Sequence, residues 1–239
     1  MQDEFIVLMN LAQDFVDRND FTSAIDQYEQ ALTLASEKDD EIYIYKSIGQ
    51  CYDELNEERK AFKYFYKVFD IDQNYSDGGW QLIYRFAQLS YKYRNFQDSI
   101  KYFQIVIPQI PPDQPFFIKS SYILLAYNFS AQKNHNLALK ELHKASKIET
   151  DSAFQNTEVY CGFAHAYFGL DKIGKAIKFA LKTLKEELND GIEEKMYFIL
   201  AFSYSMGGFH GNKKNEEYYT DKLRSKFPSG GYLKELERY

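Results

Sequence analysis

Residue types that commonly carry chemistry are present in this chain, but their spacing builds no recognisable site. The four histidines are His135, His143, His165 and His210. None belongs to an H-E-x-x-H motif and no two lie four residues apart, so a helical zinc site is not expected. Cys51 and Cys161 are separated by 110 residues, and neither is part of a C-x-x-C pair. We therefore expect two reduced thiols and no bound metal.

Motifs for nucleophilic catalysis and phosphate binding are missing from the sequence as well. There is no G-x-S-x-G and no G-x-x-x-x-G-K-[ST], and the glycines of "GGFHG" at 207–211 follow no predicted strand. Adjacent carboxylates occur at Glu57–Glu58, Glu186–Glu187 and Glu193–Glu194. Consecutive residues of a helix point in different directions, so these pairs do not converge on a substrate. We predict no catalytic residue and no cofactor, and we expect that the protein is not an enzyme.

Charge is distributed unevenly along the chain. Residues 1–80 carry 18 acidic and 7 basic side chains, a net of −11, whereas residues 81–239 carry 17 and 22, a net of +5. An acidic first third repels a phosphate backbone, so nucleic acid is not the expected partner. A stripe of lysines follows one predicted helix at Lys172, Lys175, Lys178, Lys182 and Lys185. We interpret it as a solvated outer face, with an acidic partner or a membrane surface as the alternative.

The sequence contains no signal for membrane insertion or export. No run of 18 apolar residues occurs, and the first residues lack the basic region of a signal peptide. We expect no membrane span and a cytoplasmic location, although removal of a leader would leave the same sequence.

The elements that position these residues are predicted by a repeating pattern of small and large side chains. In "DFTSAIDQYEQAL" at 20–32, Ala24, Tyr28 and Ala31 share one face of a helix. Equivalent trios begin 37, 38, 39 and 38 residues apart. They are Ala61, Phe65 and Val68; Ser99, Phe103 and Val106; Ala138, Leu142 and Ala145; and Ala176, Ala180 and Thr183. Only five prolines and twelve glycines occur, which favours long helices over strands.

A second small residue lies twelve positions before each trio and indicates a preceding helix. These residues are Ala12, Gly49, Ala87, Ala126 and Ala164, and a sixth copy begins near Ala201. Each copy predicts two helices joined by a tight turn, with the small residues allowing close backbone approach. One such pair cannot bury its apolar face alone, so the pairs must stack. We predict an all-α fold, an α-solenoid of about six antiparallel helix pairs.

These positions resemble the tetratricopeptide repeat family, although no tryptophan occupies the family's tryptophan position. In the family's order, the first repeat reads Leu8, Leu11, Ala12, Phe15, Ala24, Tyr28 and Ala31. The resemblance implies a right-handed superhelix forming a single domain over 1–239, closed by a capping helix at 231–239. The implied repeats are about 5–38, 42–75, 80–113, 119–152, 157–190 and 194–228. We expect the residues beyond the family's period to lengthen each second helix and the turn after it.

Three irregular segments interrupt the predicted array. Gly78 and Gly79 predict a flexible joint in the segment 72–81. Prolines in "IPQIPPDQPF" at 107–116 predict a stiff, extended connector. The segment at 205–216 lengthens the turn of the sixth copy.

The resemblance also implies that the first helices of the repeats line a concave groove. Its inward positions include Tyr43, Lys46, Gln50, Gln81, Tyr84, Arg85, Gln88, Tyr127, His165 and Phe168. Aromatic rings and amides suit an extended peptide, and the alternative is a solvated inner surface without a ligand. Further along, Phe198 and Phe202 make the groove apolar, and the terminal helix could instead bury them.

The predicted function is that of a non-enzymatic adaptor that binds a segment of another protein in this groove. One alternative is a regulatory sensor domain that binds a small ligand or a peptide and relays the signal to an effector. Another is an envelope-assembly protein whose leader has been removed. The sequence indicates neither the identity of the partner nor an oligomeric state.

Overall fold

The computed structural model describes residues 2–75, 78–206 and 212–236. Within these ranges the chain has thirteen α-helices, one 3-10 helix and no β-strand, which confirms the all-α prediction. Three predicted features lie partly or wholly outside the described residues. They are the middle of the glycine joint at 76–77, the segment 207–211 with His210, and residues 237–239 of the capping helix.

The first compact unit of the structure spans residues 1–106 and contains three antiparallel helix pairs. The pairs are α1 (Gln2–Asp17) with α2 (Phe21–Leu32), α3 (Lys38–Glu54) with α4 (Glu58–Ile71), and α5 (Gly79–Lys92) with α6 (Phe96–Val106). The second helix of one pair packs on the first helix of the next, α2 on α3 and α4 on α5. This is the stacking that the repeated pattern predicts.

The second compact unit spans residues 107–239 and begins with a 3-10 helix at Ile107–Gln109. Its helix pairs are α7 (Pro115–Ala131) with α8 (His135–Ala145), α9 (Ala153–Phe168) with α10 (Ile173–Thr183), and α11 (Asp190–Ser205) with α12 (Lys213–Lys226). A short helix, α13 (Gly231–Leu236), follows and packs on α11 and α12.

The proline-rich segment differs from its prediction as an extended connector. It starts as a 3-10 turn and ends as a helix, because Pro115 occupies the first turn of α7, where its missing N–H group has no helical partner to lose.

The recurring small residues lie where the helices of each pair approach most closely. Those that are completely buried include Ala12, Ala24, Ala61, Ala87, Ala126, Ala138, Ala164, Ala176, Ala180 and Ala201. A Cβ atom added at Gly49 would lie 2.5 Å from ring atoms of Phe65, the large residue of the same repeat. The alternation of small and large side chains therefore sets the distance between paired helices, as predicted.

The turns inside five of the pairs share one backbone geometry that the sequence pattern does not reveal. Each contains a residue in the left-handed region, with φ from 55° to 63°, at Asn19, Asn56, Arg94, Lys133 and Asp171. The backbone N–H of the next residue donates to the carbonyl five positions earlier at 2.8–2.9 Å, for example from Asp20 to Phe15. This arrangement is a Schellman helix ending, here built without glycine.

The helix lengths correct one prediction. The first helices of the pairs have 14–17 residues and the second helices only 11–14. The second helix is therefore not the lengthened element. Each pair begins a few residues before the predicted repeat, and the single-domain description of 1–239 stays a prediction.

Candidate functional site

Three of the predicted groove residues line one pocket in the first unit. Tyr43, Lys46 and Gln50 follow one another on α3 at helical spacing, and Gln13 of α1 faces them across a cavity of about 480 Å³. Tyr43 and Gln50 are exposed and Lys46 is half-buried. We call this cavity the α1–α3 pocket. It combines the exposed ring of Tyr43 with three exposed amide side chains, those of Gln13, Asn19 and Gln50, which is the mixture expected of a surface that contacts a polypeptide backbone.

The floor of the α1–α3 pocket is formed by Tyr28, Ser47 and Cys51, all of which are buried. Burial raises the pKa of Tyr28 and that of Cys51, to about 12 and about 11, because the charged forms are desolvated. Both groups are consequently protonated at neutral pH, and the Cys51 thiol is a poor nucleophile. The floor can contribute packing and hydrogen bonds to a ligand but no acid–base or nucleophilic chemistry.

The charged residues that line the α1–α3 pocket are Lys46 and Glu54. The Lys46 ammonium lies 4.5 Å from the centroid of the Tyr43 ring, in a cation–π contact. Gln13 donates from Nε2 to Oδ1 of Asp17 at 2.8 Å, and Glu54 is exposed. The lining therefore holds one carboxylate, that of Glu54, and a second one, that of Asp17, is bound to the lining residue Gln13.

Arg85 is engaged within the protein. Its Nε and Nη2 atoms donate to both carboxylate oxygens of Asp53, at 2.8 Å and 2.6 Å, and Nη2 also donates to Glu58 at 3.2 Å. Lys92 pairs with the same Glu58, and the hydrogen bond from Lys92 is the main reason that the pKa of Glu58 is lowered. These four charges tie α5 to α3 and α4.

The other predicted residues of α5 lie apart from the α1–α3 pocket. Tyr84 is buried, its ring packs edge-on against Phe103 at 5.9 Å, and its hydroxyl accepts a hydrogen bond from Gln88 at 3.0 Å. Gln81 alone of this set is exposed. As a result, Tyr84, Arg85 and Gln88 mainly stabilise helix packing, and their role in binding stays a prediction.

The predicted groove residues of the second unit lie near half-buried ionisable groups. The Tyr127 hydroxyl donates to the backbone carbonyl of Glu158 at 2.9 Å. Burial raises the pKa of Glu158 to about 7, and burial together with the positive charge of Lys195 and the nearby His135 lowers that of His165 to about 4. His165 is therefore a neutral ring at physiological pH, and its ring lies 5.8 Å from that of His135.

The apolar end of the second unit is covered by α13. Phe168 packs edge-on against Phe198 and Phe202, with ring centroids 6.0 Å and 5.4 Å apart. Tyr232 of α13 lies 5.1 Å from Phe198, and its backbone N–H donates to Glu194 at 3.1 Å. Phe198 is only 5% exposed. The terminal helix therefore covers this ring, which was one of the two possibilities considered for the apolar end of the groove.

The lysine stripe on α10 is exposed at all five positions, in keeping with a solvated outer face. Two of these lysines lie over tyrosine rings, Lys182 at 3.8 Å from the centroid of Tyr160 and Lys175 at 5.1 Å from that of Tyr167. None of the described helices has the length and apolarity that a membrane crossing requires. In the described part of the chain, no group of three histidine, cysteine or acidic residues is arranged to hold a metal ion.

Two features of the pockets escaped the sequence analysis. Gln13 lies one residue beyond the buried Ala12, and it reaches the same cavity as Gln50 because α2, the partner of α1, packs on α3. Lys119 is buried in α7 and lines a separate cavity in the second unit. The signal for Lys119 was available, because it is the one charged residue in the helix "PFFIKSSYILLAYNFSA".

Stacked helix pairs with a pocket between first helices define the chain as a helical-repeat protein, an α-solenoid. Residues 3–74 match the model of the tetratricopeptide repeat family, and solved structures extend the likeness in fold over almost the whole chain. The family match thus covers the first two helix pairs, and the remainder of the chain shares the fold of such proteins. No curated protein sequence matches it.

Three similar solved structures illustrate the fold. The pilF protein of Pseudomonas aeruginosa is 10% identical over 99% of this chain and 98% of its own, with a TM-score of 0.59. YrrB, described as a TPR protein with an unusual peptide-binding site, is 12% identical over 89% of this chain and 98% of its own, with a TM-score of 0.57. The apo form of the quorum sensor NprR from B. thuringiensis is 13% identical over 97% of this chain and 68% of its own, with a TM-score of 0.64. At these identities the likeness concerns the fold.

The tetratricopeptide repeat fold is a scaffold for protein–protein interaction, and its members bind protein or peptide partners.

Proposed function

We propose that this protein is a non-enzymatic scaffold that binds an extended, basic segment of a partner protein in the α1–α3 pocket. The observation that carries the proposal is the convergence of Tyr43, Lys46, Gln50 and Gln13 around one cavity of about 480 Å³. Such a cavity is within the usual size range of ligand sites, and it suits a few residues of an extended chain.

The side chains of the α1–α3 pocket match the needs of a peptide backbone. The amides of Gln13 and Gln50 can each donate and accept a hydrogen bond, as peptide groups require. The ring of Tyr43, 42% exposed, offers apolar area with little conformational entropy to lose on binding. A catalytic role is disfavoured, because the pocket's thiol and buried phenol are both held in their protonated forms.

Charge complementarity points to a basic partner segment. Residues 1–80 carry a net charge of −11, and Glu54 and the Asp17 carboxylate flank the pocket. The one cation among the lining residues, Lys46, lies over the Tyr43 ring. A lysine or arginine of the partner would therefore be attracted, whereas nucleic acid would be repelled. That YrrB has a peptide-binding site on the same fold supports a peptide ligand here.

We further propose a cytoplasmic location, because both cysteines are free, buried thiols. The sensor and envelope-assembly alternatives stay predictions, and either would use the same pocket.

A selection experiment tests the proposed function. The full chain is immobilised and used to select binders from a displayed library of random peptides. The affinities of the selected peptides are then measured for the wild type, a double variant of the pocket and a control variant. We expect peptides rich in lysine or arginine, and a loss of at least tenfold in affinity for Tyr43→Ala with Gln50→Ala. The control is Tyr218→Ala, which removes an exposed tyrosine on α12 and should leave affinity unchanged. Selection of acidic peptides, or equal affinity for all three proteins, would overturn the proposal.

A further inference from the structure

A buried lysine lines a second, larger cavity in the second unit. Lys119 of α7 is 2% exposed, yet it forms part of the wall of a cavity of about 760 Å³. The cavity lies between the start of α7 and the segment 146–152 that leads into α9. We call it the Lys119 pocket. It shares no residue with the α1–α3 pocket.

A hydrogen-bond network fixes the position of the Lys119 ammonium. Its Nζ atom donates to Oδ1 of Asn156 at 2.6 Å and, more weakly, to Oγ1 of Thr150 at 3.4 Å. Thr150 in turn donates to Oε1 of Gln155 at 2.9 Å. The completely buried Gln155 donates from Nε2 to the carbonyl of Phe116 at 2.8 Å and to Ser120 at 2.6 Å. The network binds the start of α7 to the start of α9 and holds the ammonium in place.

The partners of Lys119 accept its hydrogen bonds, but they do not balance its positive charge. Both acceptors are neutral, and no acidic side chain within the described ranges forms an ion pair with Nζ. Desolvation lowers the pKa of Lys119 from its usual value, with no compensating carboxylate. A buried ammonium without a counter-charge costs free energy that an anionic oxygen in the cavity would recover. An ammonium has three donors, and one of them remains for such an oxygen.

The rim of the Lys119 pocket restricts which anion fits. Asp113, Glu149 and Asp151 line the cavity and are exposed. Three carboxylates repel a doubly charged phosphate but tolerate a single carboxylate, particularly on a ligand that also carries a positive charge. The ring of Phe116, 47% exposed, and the side chain of Ile148 add apolar surface.

We propose that the Lys119 pocket binds the carboxylate of a short peptide segment that also carries a basic side chain. The carboxylate accepts a hydrogen bond from Lys119, the basic group lies among Asp113, Glu149 and Asp151, and the apolar part of the peptide packs on Phe116. The site is independent of the α1–α3 pocket and of the function proposed for it.

Calorimetric titration of the full chain with defined peptides tests this site. The probes are acetyl-Lys-Leu-Ala with a free carboxyl terminus, the same peptide as its amide, and acetyl-Lys-Leu-Glu-Ala amide. We expect the free carboxylate or the glutamate probe to bind at least tenfold more tightly than the neutral amide. A preference for either carboxylate supports the proposal and tells a chain terminus from an acidic side chain. Equal binding of all three probes, or binding of none, would overturn it.

Two substitutions connect the preference to Lys119. Lys119→Met should abolish the discrimination between carboxylate and amide probes, whereas Lys140→Met, at an exposed position of α8, should retain it. Because Lys119→Met could disturb the network, Asn156→Asp provides a second test with nearly the same shape. It places a carboxylate beside Nζ within the protein, so it should raise the melting temperature and weaken carboxylate binding at least tenfold. Unchanged affinity in Asn156→Asp would contradict the proposal.

Discussion

The backbone of Gly49 and the ring of Phe65 are in such close contact that a single added carbon at Gly49 would lie 2.5 Å from the ring. Phe65 is 1% exposed, so its ring has no free space to move into. The distance between α3 and α4 is therefore set by the absence of a side chain on one helix and the presence of a large one on the other.

This contact predicts that Gly49→Val destabilises the protein by roughly 1–3 kcal/mol, because overpacking outweighs the gain in helix propensity. Urea denaturation monitored by circular dichroism measures the change. The control is Gly191→Ala in α11, where the nearest atom to an added Cβ is 3.6 Å away, and it should change the free energy of unfolding by less than about 1 kcal/mol. Equal stability of Gly49→Val and the wild type would show that the helices are not in close contact here.

The ion pair between Arg85 and Asp53 supports a second prediction. Arg85→Met should lower the free energy of unfolding by about 1–3 kcal/mol, because it removes the bidentate partner of the partly buried Asp53 carboxylate and one of the two partners of Glu58. Lys92→Met removes the more exposed partner of the same Glu58 and should cost less than about 1 kcal/mol. Chemical denaturation of both variants measures this difference. A larger loss for Lys92→Met would contradict the assignment of Arg85 as the principal link between α5 and α3.

Glu158 and His165 predict opposing pH dependences of stability. Folding raises the pKa of Glu158 from 4.5 to about 7, so the folded state binds more protons than the unfolded state in this window, and stability falls as pH rises. Folding lowers the pKa of His165 from 6.5 to about 4, so stability is lost as pH falls through that window. The two effects partly cancel between pH 4.5 and pH 6.5.

Replacing one of the two groups should reveal the pH dependence of stability that the other one causes. With Glu158→Gln, stability should rise from pH 4.5 to pH 6.5, and with His165→Gln it should fall over the same range. Because both groups are partly exposed to solvent, we expect the free energy of unfolding of each variant to change by about 2 kcal/mol between pH 4.5 and pH 6.5. Denaturation midpoints at three pH values measure both. Identical pH profiles for the two variants would contradict the burial of these groups.

The packing of Tyr232 on Phe198 predicts that α13 stabilises the second unit. Tyr232→Ala should lower the free energy of unfolding by roughly 1–2 kcal/mol through lost burial and ring contact. It should also increase the fluorescence of a dye that binds exposed apolar surface. Tyr218→Ala, at a 52% exposed ring of α12, serves as the control and should do neither.

The periodic residues of the sequence predict most of the fold. Alanines at fixed intervals and aromatic residues between them can bury their side chains only if helices pair and stack, and Ala24, Ala61 and Ala138 do so. The turns were less predictable. Their left-handed positions hold asparagine, arginine, lysine or aspartate, because the hydrogen bonds of the helix ending fix the conformation without requiring glycine.

Repeat position indicates only in part which side chains of the candidate site are accessible. Tyr43 and Gln50 are exposed and line the pocket, where Tyr43 contacts Lys46 of its own helix. Arg85 holds the repeat position of Ser47 one unit later, but Asp53 of α3 binds its guanidinium. Periodicity gives the direction in which a side chain points, whereas the partner it meets depends on residues that are distant in sequence.

Binding of a basic peptide in the α1–α3 pocket is the central claim, and chemical-shift mapping tests it most directly. A lysine-rich peptide selected on the protein is titrated into the isotopically labelled full chain. We predict the largest shifts at Gln13, Tyr43 and Gln50, saturating together with one dissociation constant. Shifts confined to α5 and α6, or to residues 107–239, would contradict the claim.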